Sequence, residues 1–331
     1  MIQLIGRRLA AAVIITLALT AGMFILQRVS PVDPVHAMLG AQVSASEIIA
    51  ERHRLGLDQP LPAQFVHYLD GLVHGNLGTS YRTRRPVSTD LGSFVPATAE
   101  LSLYALLFAL VLAAILALGS TLRWPGAGLF RLILIAGAST PAFLLGITGI
   151  LIFYQKLGWL PATGRTGLAS VPSGPTGFLT IDGLLHGQPG VTLDGLRHLL
   201  MPALAIAAVP AVSIGRVLRS SLITGMNSDY VRTARAKGLS EPRVVIGHVL
   251  RNCLGAALSM TGLQVGLMFS GVLVIEQVFA WPGLGQYMAQ SIPAADFPAI
   301  AGVTLLLGAG YVAVNTAVDI LQAVADPRIN A

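Results

Sequence analysis

The sequence predicts an all-α integral membrane protein that crosses the bilayer six times. Three observations carry this. Hydrophobic residues make up 54% of the 331 positions and charged residues only 11%, against about 25% charged in an ordinary soluble domain. The charges are clustered and leave long uncharged runs between them. Six of those runs are long enough to cross the ~30 Å hydrocarbon core as helices, which takes about 20 residues.

The first span is predicted at 9–27, behind Arg7 and Arg8. Its apolar run exceeds the ~7–15 residues of a signal-peptide core. Arg28, Pro31 and Asp33 follow in place of a small-residue cleavage site, so the span is expected to be retained. Residues 28–100 are predicted to form an external segment. Within it Leu61, Phe65, Tyr68, Leu69, Leu72 and Val73 recur at helical spacing, which predicts an amphipathic helix against the membrane or the spans. Further spans are predicted at 101–119, 132–154, 199–218, 254–275 and 299–323. Pro141, Pro202 and Pro210 fall inside two of them, which a membrane tolerates where neighbours re-satisfy the freed carbonyls. Residues 163–194 are rich in Gly and Pro and read as an irregular external lobe. Gly262, Gly266 and Ser270 recur every four residues, a spacing that lets another helix approach closely.

Lys and Arg orient the spans. The 122–131 loop has Arg123 and Arg131, and the 219–253 loop has Arg219, Arg232, Arg235, Lys237, Arg243 and Arg251, whereas 276–298 has neither residue type. The positive-inside rule then puts both termini and these two basic loops in the cytoplasm. The 28–100 segment carries six Arg, offset by six acids between Asp33 and Asp90, and is long enough to escape the rule. A net charge of +6 is what cytoplasmic loops of this kind produce, and it calls for no nucleic acid. The single cysteine, Cys253, excludes an intrachain disulfide.

The stretch DYVRTARAKGLSEPR at 229–243 has a helix grammar of its own. Ser228 or Asp229 can cap a helix. Tyr230 to Lys237 makes about two turns, and Gly238 follows where a left-handed residue is needed. Ser240 can cap a second helix with Pro242 in its first turn, running through Arg251 into the fifth span. Tyr230, Val231 and Ala234 share one arc, while Arg232 and Arg235 lie on another. Two turns are too short to stand alone in water, so the helix needs something to pack against. The alternative reading is a solvated basic loop touching lipid headgroups.

This stretch resembles the cytoplasmic signature of ABC importer permeases of the dipeptide/oligopeptide/nickel branch. Arg232, Thr233 and Ala234 stand where the general signature has Glu-Ala-Ala, and Gly238 is its Gly. The resemblance extends to LGLDQPLPAQF at 55–65, GNLGTSY at 75–81, VPATAEL at 95–101, QVFAWPGLG at 277–285 and DPRI at 326–329. GPTGFLTIDGLL at 174–185 looks most like dipeptide permeases, although nickel permeases share several of the other motifs. The resemblance implies a six-helix permease core at 101–323, preceded by the tail and first helix at 1–27 and the external segment at 28–100. Within that core lie an external lobe at 155–198 and a cytoplasmic coupling loop at 219–253, and a cytoplasmic tail follows at 324–331. It implies a multi-pass subunit of the bacterial inner membrane, paired with a second homologous permease. Two cytoplasmic ATPases would hold ATP and Mg, and an external binding protein would deliver the substrate. The ATPase-coupling residues it implies are Tyr230, Val231, Arg232, Thr233, Ala234, Arg235, Lys237, Gly238 and Leu239, with Tyr230, Val231 and Ala234 as apolar anchors.

The chain carries no nucleotide loop of its own. Such a loop needs Lys followed by Ser or Thr, but Lys156 and Lys237 are followed by Leu157 and Gly238. No H-E-x-x-H or G-x-S-x-G occurs. No cofactor, metal site or catalytic residue is therefore expected on this chain, and neither a membrane enzyme nor an ion-driven secondary transporter is favoured. Gln264 and Met268 share a face of the fifth span, Glu276 ends it, and Asn315 lies in the sixth. These four are the candidates for lining a substrate pathway.

Overall fold

The computed structural model describes residues 2–30, 33–39, 44–122, 124–136 and 140–325. Pro31, Arg123 and the 326–329 motif lie outside the described residues, as do the side chains of Arg7 and Arg8. The described residues form helices and connecting loops, with one isolated bridge, Thr79 to Pro86. The chain divides into two compact units, Met1–Thr98 with Pro282–Val312, and Ala99–Trp281 with Ala313–Ala331.

The first unit begins with α1 (Ile2–Val29), followed by the short α2 (Pro34–Leu39) and by α3 (Ala45–Arg54). Ser44 and Glu47 cap α3 reciprocally, each side chain taking the other residue's backbone N–H. The expected amphipathic helix is α4 (Leu61–Val73). It packs on α1, with the Phe24 ring 5.2 Å from Phe65 and 6.3 Å from Tyr68. Leu61 and Val73, at its ends, stay exposed. The unit also holds the first turns of α5 (Val87–Thr121), then α13 (Leu284–Ser291) and the start of α14 (Phe297–Ala325). Buried carboxylates join them. Asp90 accepts from Thr83 and from the Tyr287 hydroxyl, and Asp296 accepts from Ser80 and the Arg82 amide. Burial and the nearby Asp90 push the Tyr287 phenol well above its ordinary pKa.

The second unit is built on α9 (Pro189–Met226) packed along α12 (Leu250–Val278). Pro202 and Pro210 lie inside α9 and are buried. Between α5 and α9 come α6 (Ala127–Ala136), α7 (Ala142–Gly149) with a π-helical continuation at Ile150–Lys156, and α8 (Leu179–Leu185). After α9 come α10 (Asp229–Ala236) and α11 (Glu241–Val244), which passes through a π-helical turn at Val245–Val249 into α12.

Among the described residues, five helices are long and apolar enough to cross a membrane: Ala10–Val29, Val87–Thr121, Pro189–Met226, Glu241–Val278 and Phe297–Ile320. Five of the six expected spans fall on these. The third, expected at 132–154, is not one helix. Pro141 is the residue before α7 and not an interior kink, in extended backbone whose φ suits the proline ring. The apolar helix after it, Ala142–Lys156, is too short to span alone. The fourth span overshoots its apolar core, since α9 has 38 residues, about 57 Å. The region read as an irregular lobe is accordingly helical from Leu179 onward apart from the short break before Pro189.

That lobe is held by a buried clamp. Glu100, fully buried on α5, takes Nε of Arg165 at 3.0 Å and the amide of Thr180 at 2.9 Å. Arg165 also donates to the Gly177 carbonyl at 2.6 Å. Asp194 on α9 accepts from Thr166 and from the Gly167 amide.

Candidate functional site

The charged stretch folds as two helices joined by a Gly turn. Ser228 sits at the cap position of α10 in extended backbone, and its carbonyl receives the amides of Val231 and Arg232. Its hydroxyl does not cap forward; it donates back to the Gly225 carbonyl. At the other end Gly238 has φ +78. The Gly238 amide donates to Arg235 at 2.9 Å and the Leu239 amide to Ala234 at 3.3 Å. These are the two bonds of a Schellman stop. Ser240 then takes the cap position of α11, with Pro242 in its first turn, and the helix continues from Glu241 to Val278 without a break.

Burial sorts the side chains of α10. Val231 is 0% and Ala234 7% exposed. Both pack into one apolar cluster with Leu218 and Leu222 of α9, Val244, Val249 and Cys253 of the next helix, and Ala117 of α5. Leu239 packs on the same cluster. The support that a two-turn helix needs is therefore supplied within the chain. This corrects the expectation that Val231 and Ala234 reach outward as apolar anchors, because they are spent inward. The outward face carries Tyr230, Arg232, Thr233, Arg235, Ala236 and Lys237. Arg235 is held by Glu241, with Nε to Oε1 at 2.7 Å, and these hydrogen bonds raise its pKa. Arg232 lies 3.5 Å from Asp229, one turn earlier.

The four pathway candidates do not form one site. Gln264 and Met268 share a buried face of α12, at 5% and 6% exposure. Glu276 is fully buried about 12 Å further along the same helix. Asn315 is half-buried on α14, where a Cβ added at Gly262 would lie 3.3 Å from its Oδ1. The close approach expected from the small-residue spacing thus occurs at Gly262, while Ser270 is exposed. After Glu276 the helix ends on a second Schellman stop, with Trp281 donating to the Glu276 carbonyl at 2.8 Å across Ala280 at φ +46. The Glu100–Arg165 clamp and the Asp90 and Asp296 centres gave no sequence signal, because their partners lie far apart along the chain.

Two sequence families match. "Binding-prot-dependent transport system membrane comp, N-term" matches residues 1–102. "Binding-protein-dependent transport system inner membrane component" matches residues 105–331. The chain belongs to this family. It is a multi-pass inner-membrane component, and it lies among permease subunits across its full length. It is 40% identical to the di/tripeptide transport system permease protein DppB of Pseudomonas aeruginosa, covering 99% of both chains. It is 42% identical to the probable D,D-dipeptide transport system permease protein DdpB of Escherichia coli, covering 92% of this chain and 91% of that one. It is 33% identical to the glutathione transport system permease protein GsiC of Salmonella typhimurium, covering 99% of both.

Proposed function

We propose that this chain is one permease subunit of an ATP-driven importer that passes di- or oligopeptides from an external binding protein across the inner membrane. The observation that carries the substrate class is the near full-length likeness to di/tripeptide and D,D-dipeptide permeases. A second homologous permease completes the pathway, and two cytoplasmic ATPases hold ATP and Mg. The chain crosses six times, the third crossing being the broken pair α6 and α7, a form tolerated where other helices cover the break. Both termini and the 219–253 loop are cytoplasmic.

In this reading α10 is the coupling helix. Tyr230, Arg232, Thr233 and Lys237 meet the ATPase, while Val231, Ala234 and Leu239 fix the helix to α9 and α12. A displacement of the ATPase surface then moves α10 as a rigid piece, and the packed cluster transmits it to two long helices. Gln264, Met268, Glu276 and Asn315 keep their assignment as pathway candidates. The test is uptake of a labelled dipeptide by cells lacking their other peptide importers. Expression of this chain with its partners restores uptake, and loss of the chain alone abolishes it. Uptake of nickel without peptide uptake would favour the nickel branch.

A further inference from the structure

A cavity of about 450 Å³ opens inside the first unit, between the end of α1, α4 and the start of α14. Its lining holds two guanidinium groups, Arg28 and Arg54, beside the imidazoles of His53 and His67, and its described lining includes no carboxylate. Arg54 is paired with Glu51, and the His53 ring is hydrogen-bonded to Asp58. Arg28 has no ion pair among the described residues. Its guanidinium stacks 5.2 Å from the Phe24 centroid, and its Nε is buried with no hydrogen-bond acceptor. A buried unsatisfied donor on a cation calls for an anion.

A second unmet group lines the same cavity. Gln64 is 8% exposed, and its Oε1 has no donor. The amide cannot be flipped to relieve this, since Nε2 already donates to the carbonyls of Leu57 at 3.1 Å and Gln59 at 2.6 Å. Two residues lining the cavity, Arg28 and Gln64, thus each hold a buried polar atom without a partner, one a donor on a cation and one an acceptor. The depth narrows the choice. Ala10–Val29 is a 20-residue apolar span, about 30 Å long, and Arg28 sits in its last turn. That is the level of lipid phosphates. Phe24, Met23 and Phe297 add an apolar wall.

We propose that this cavity binds the headgroup of one amine-bearing zwitterionic phospholipid, its phosphate on Arg28 and its ammonium on Gln64 Oε1. The inference rests on α1 being a membrane span and not on the peptide substrate. The experiment is mass spectrometry of lipids retained by the purified full-length chain after delipidation and re-exposure to defined lipid. Phosphatidylethanolamine should be retained at least about tenfold over phosphatidylcholine, whose trimethylammonium has no N–H for Gln64. Arg28→Gln and Gln64→Leu should each lower that retention by about tenfold. Arg28→Lys should keep part of it. The comparison of the two lipids on the unaltered chain stands even if a variant misfolds. Equal retention of both lipids, or none, would overturn the proposal. So would displacement of the lipid by millimolar dialanine or free O-phosphoethanolamine, which would assign the cavity to a soluble zwitterion.

Discussion

The amide of Leu239 donates to the carbonyl of Ala234 at 3.3 Å, across Gly238 in a left-handed conformation. This bond ends α10 and returns the chain toward the same apolar cluster in which Ala234 is buried. It makes α10 and α11 one bent element, braced outside by Arg235 and Glu241.

Gly238→Val should therefore impair coupling and leave insertion intact. A Cβ at Gly238 meets nothing within 4 Å, so the cost is backbone strain alone, about 1 kcal/mol or more for a β-branched residue. The account predicts uptake in the order Gly, Asn, Ala, Val, since Asn tolerates the left-handed region. ATP hydrolysis by the assembled transporter should persist while transport falls. Equal uptake by the unaltered chain and the three variants would count against the bent element as a lever.

Val231→Ala should destabilise the second unit, and Arg232→Ala should not. Val231 is fully buried, and losing its two methyls costs about 2 kcal/mol. Thermal melting of the solubilised chain separates the two. Pull-down of the ATPase should show the reverse ranking once corrected for folding, with Tyr230 and Arg232 replaced together losing retention.

Much of this region is legible in the sequence because helix ends have chemical signatures. Gly238, Ser240 and Pro242 mark a stop and a start. The inward roles of Val231 and Ala234 are not legible, since helical spacing fixes which residues share a face but not what that face meets. Pro141 misleads for a related reason. An apolar run through proline reads as one kinked span, and only the packing shows the helix broken there. Ala280 is silent, because a left-handed stop without Gly has no signature. The Glu100 clamp joins residues 65 and 80 positions apart, and no local pattern encodes such a meeting.

Ala280→Gly should stabilise the end of α12. Ala at φ +46 carries strain that Gly lacks, about 1 kcal/mol before the entropic cost of Gly is subtracted. The measurement is the midpoint of thermal unfolding in detergent. A lower midpoint would mean that the turn is not strained.

Breaking the Glu100–Arg165 pair from one side should be worse than removing it altogether. Glu100 is 1% and Arg165 19% exposed at the side chain, and a buried charge left unpaired costs about 3–5 kcal/mol. Arg165→Met should expose the 163–178 segment to protease. Adding Glu100→Gln to that variant should restore part of the protection. Additive damage in the double variant would show that the two residues act independently.

Orientation is tested with single cysteines in a Cys253→Ala background. Ser173 and Ser240 are both exposed. An impermeant maleimide should label cysteine at Ser173 from outside intact cells and leave cysteine at Ser240 unlabelled until the membrane is opened. The opposite pattern would invert the topology.

On the proposed reading, energy enters this chain by contact, through the exposed face of α10. The most direct measurement is uptake by sealed vesicles containing the purified chain, alone and then with the second permease, the ATPases and the binding protein. The account predicts no ATP hydrolysis and no uptake by the chain alone, hydrolysis once the ATPases and second permease are present, and uptake when the binding protein and peptide are added. Uptake by the chain alone, driven by a proton or sodium gradient, would contradict it.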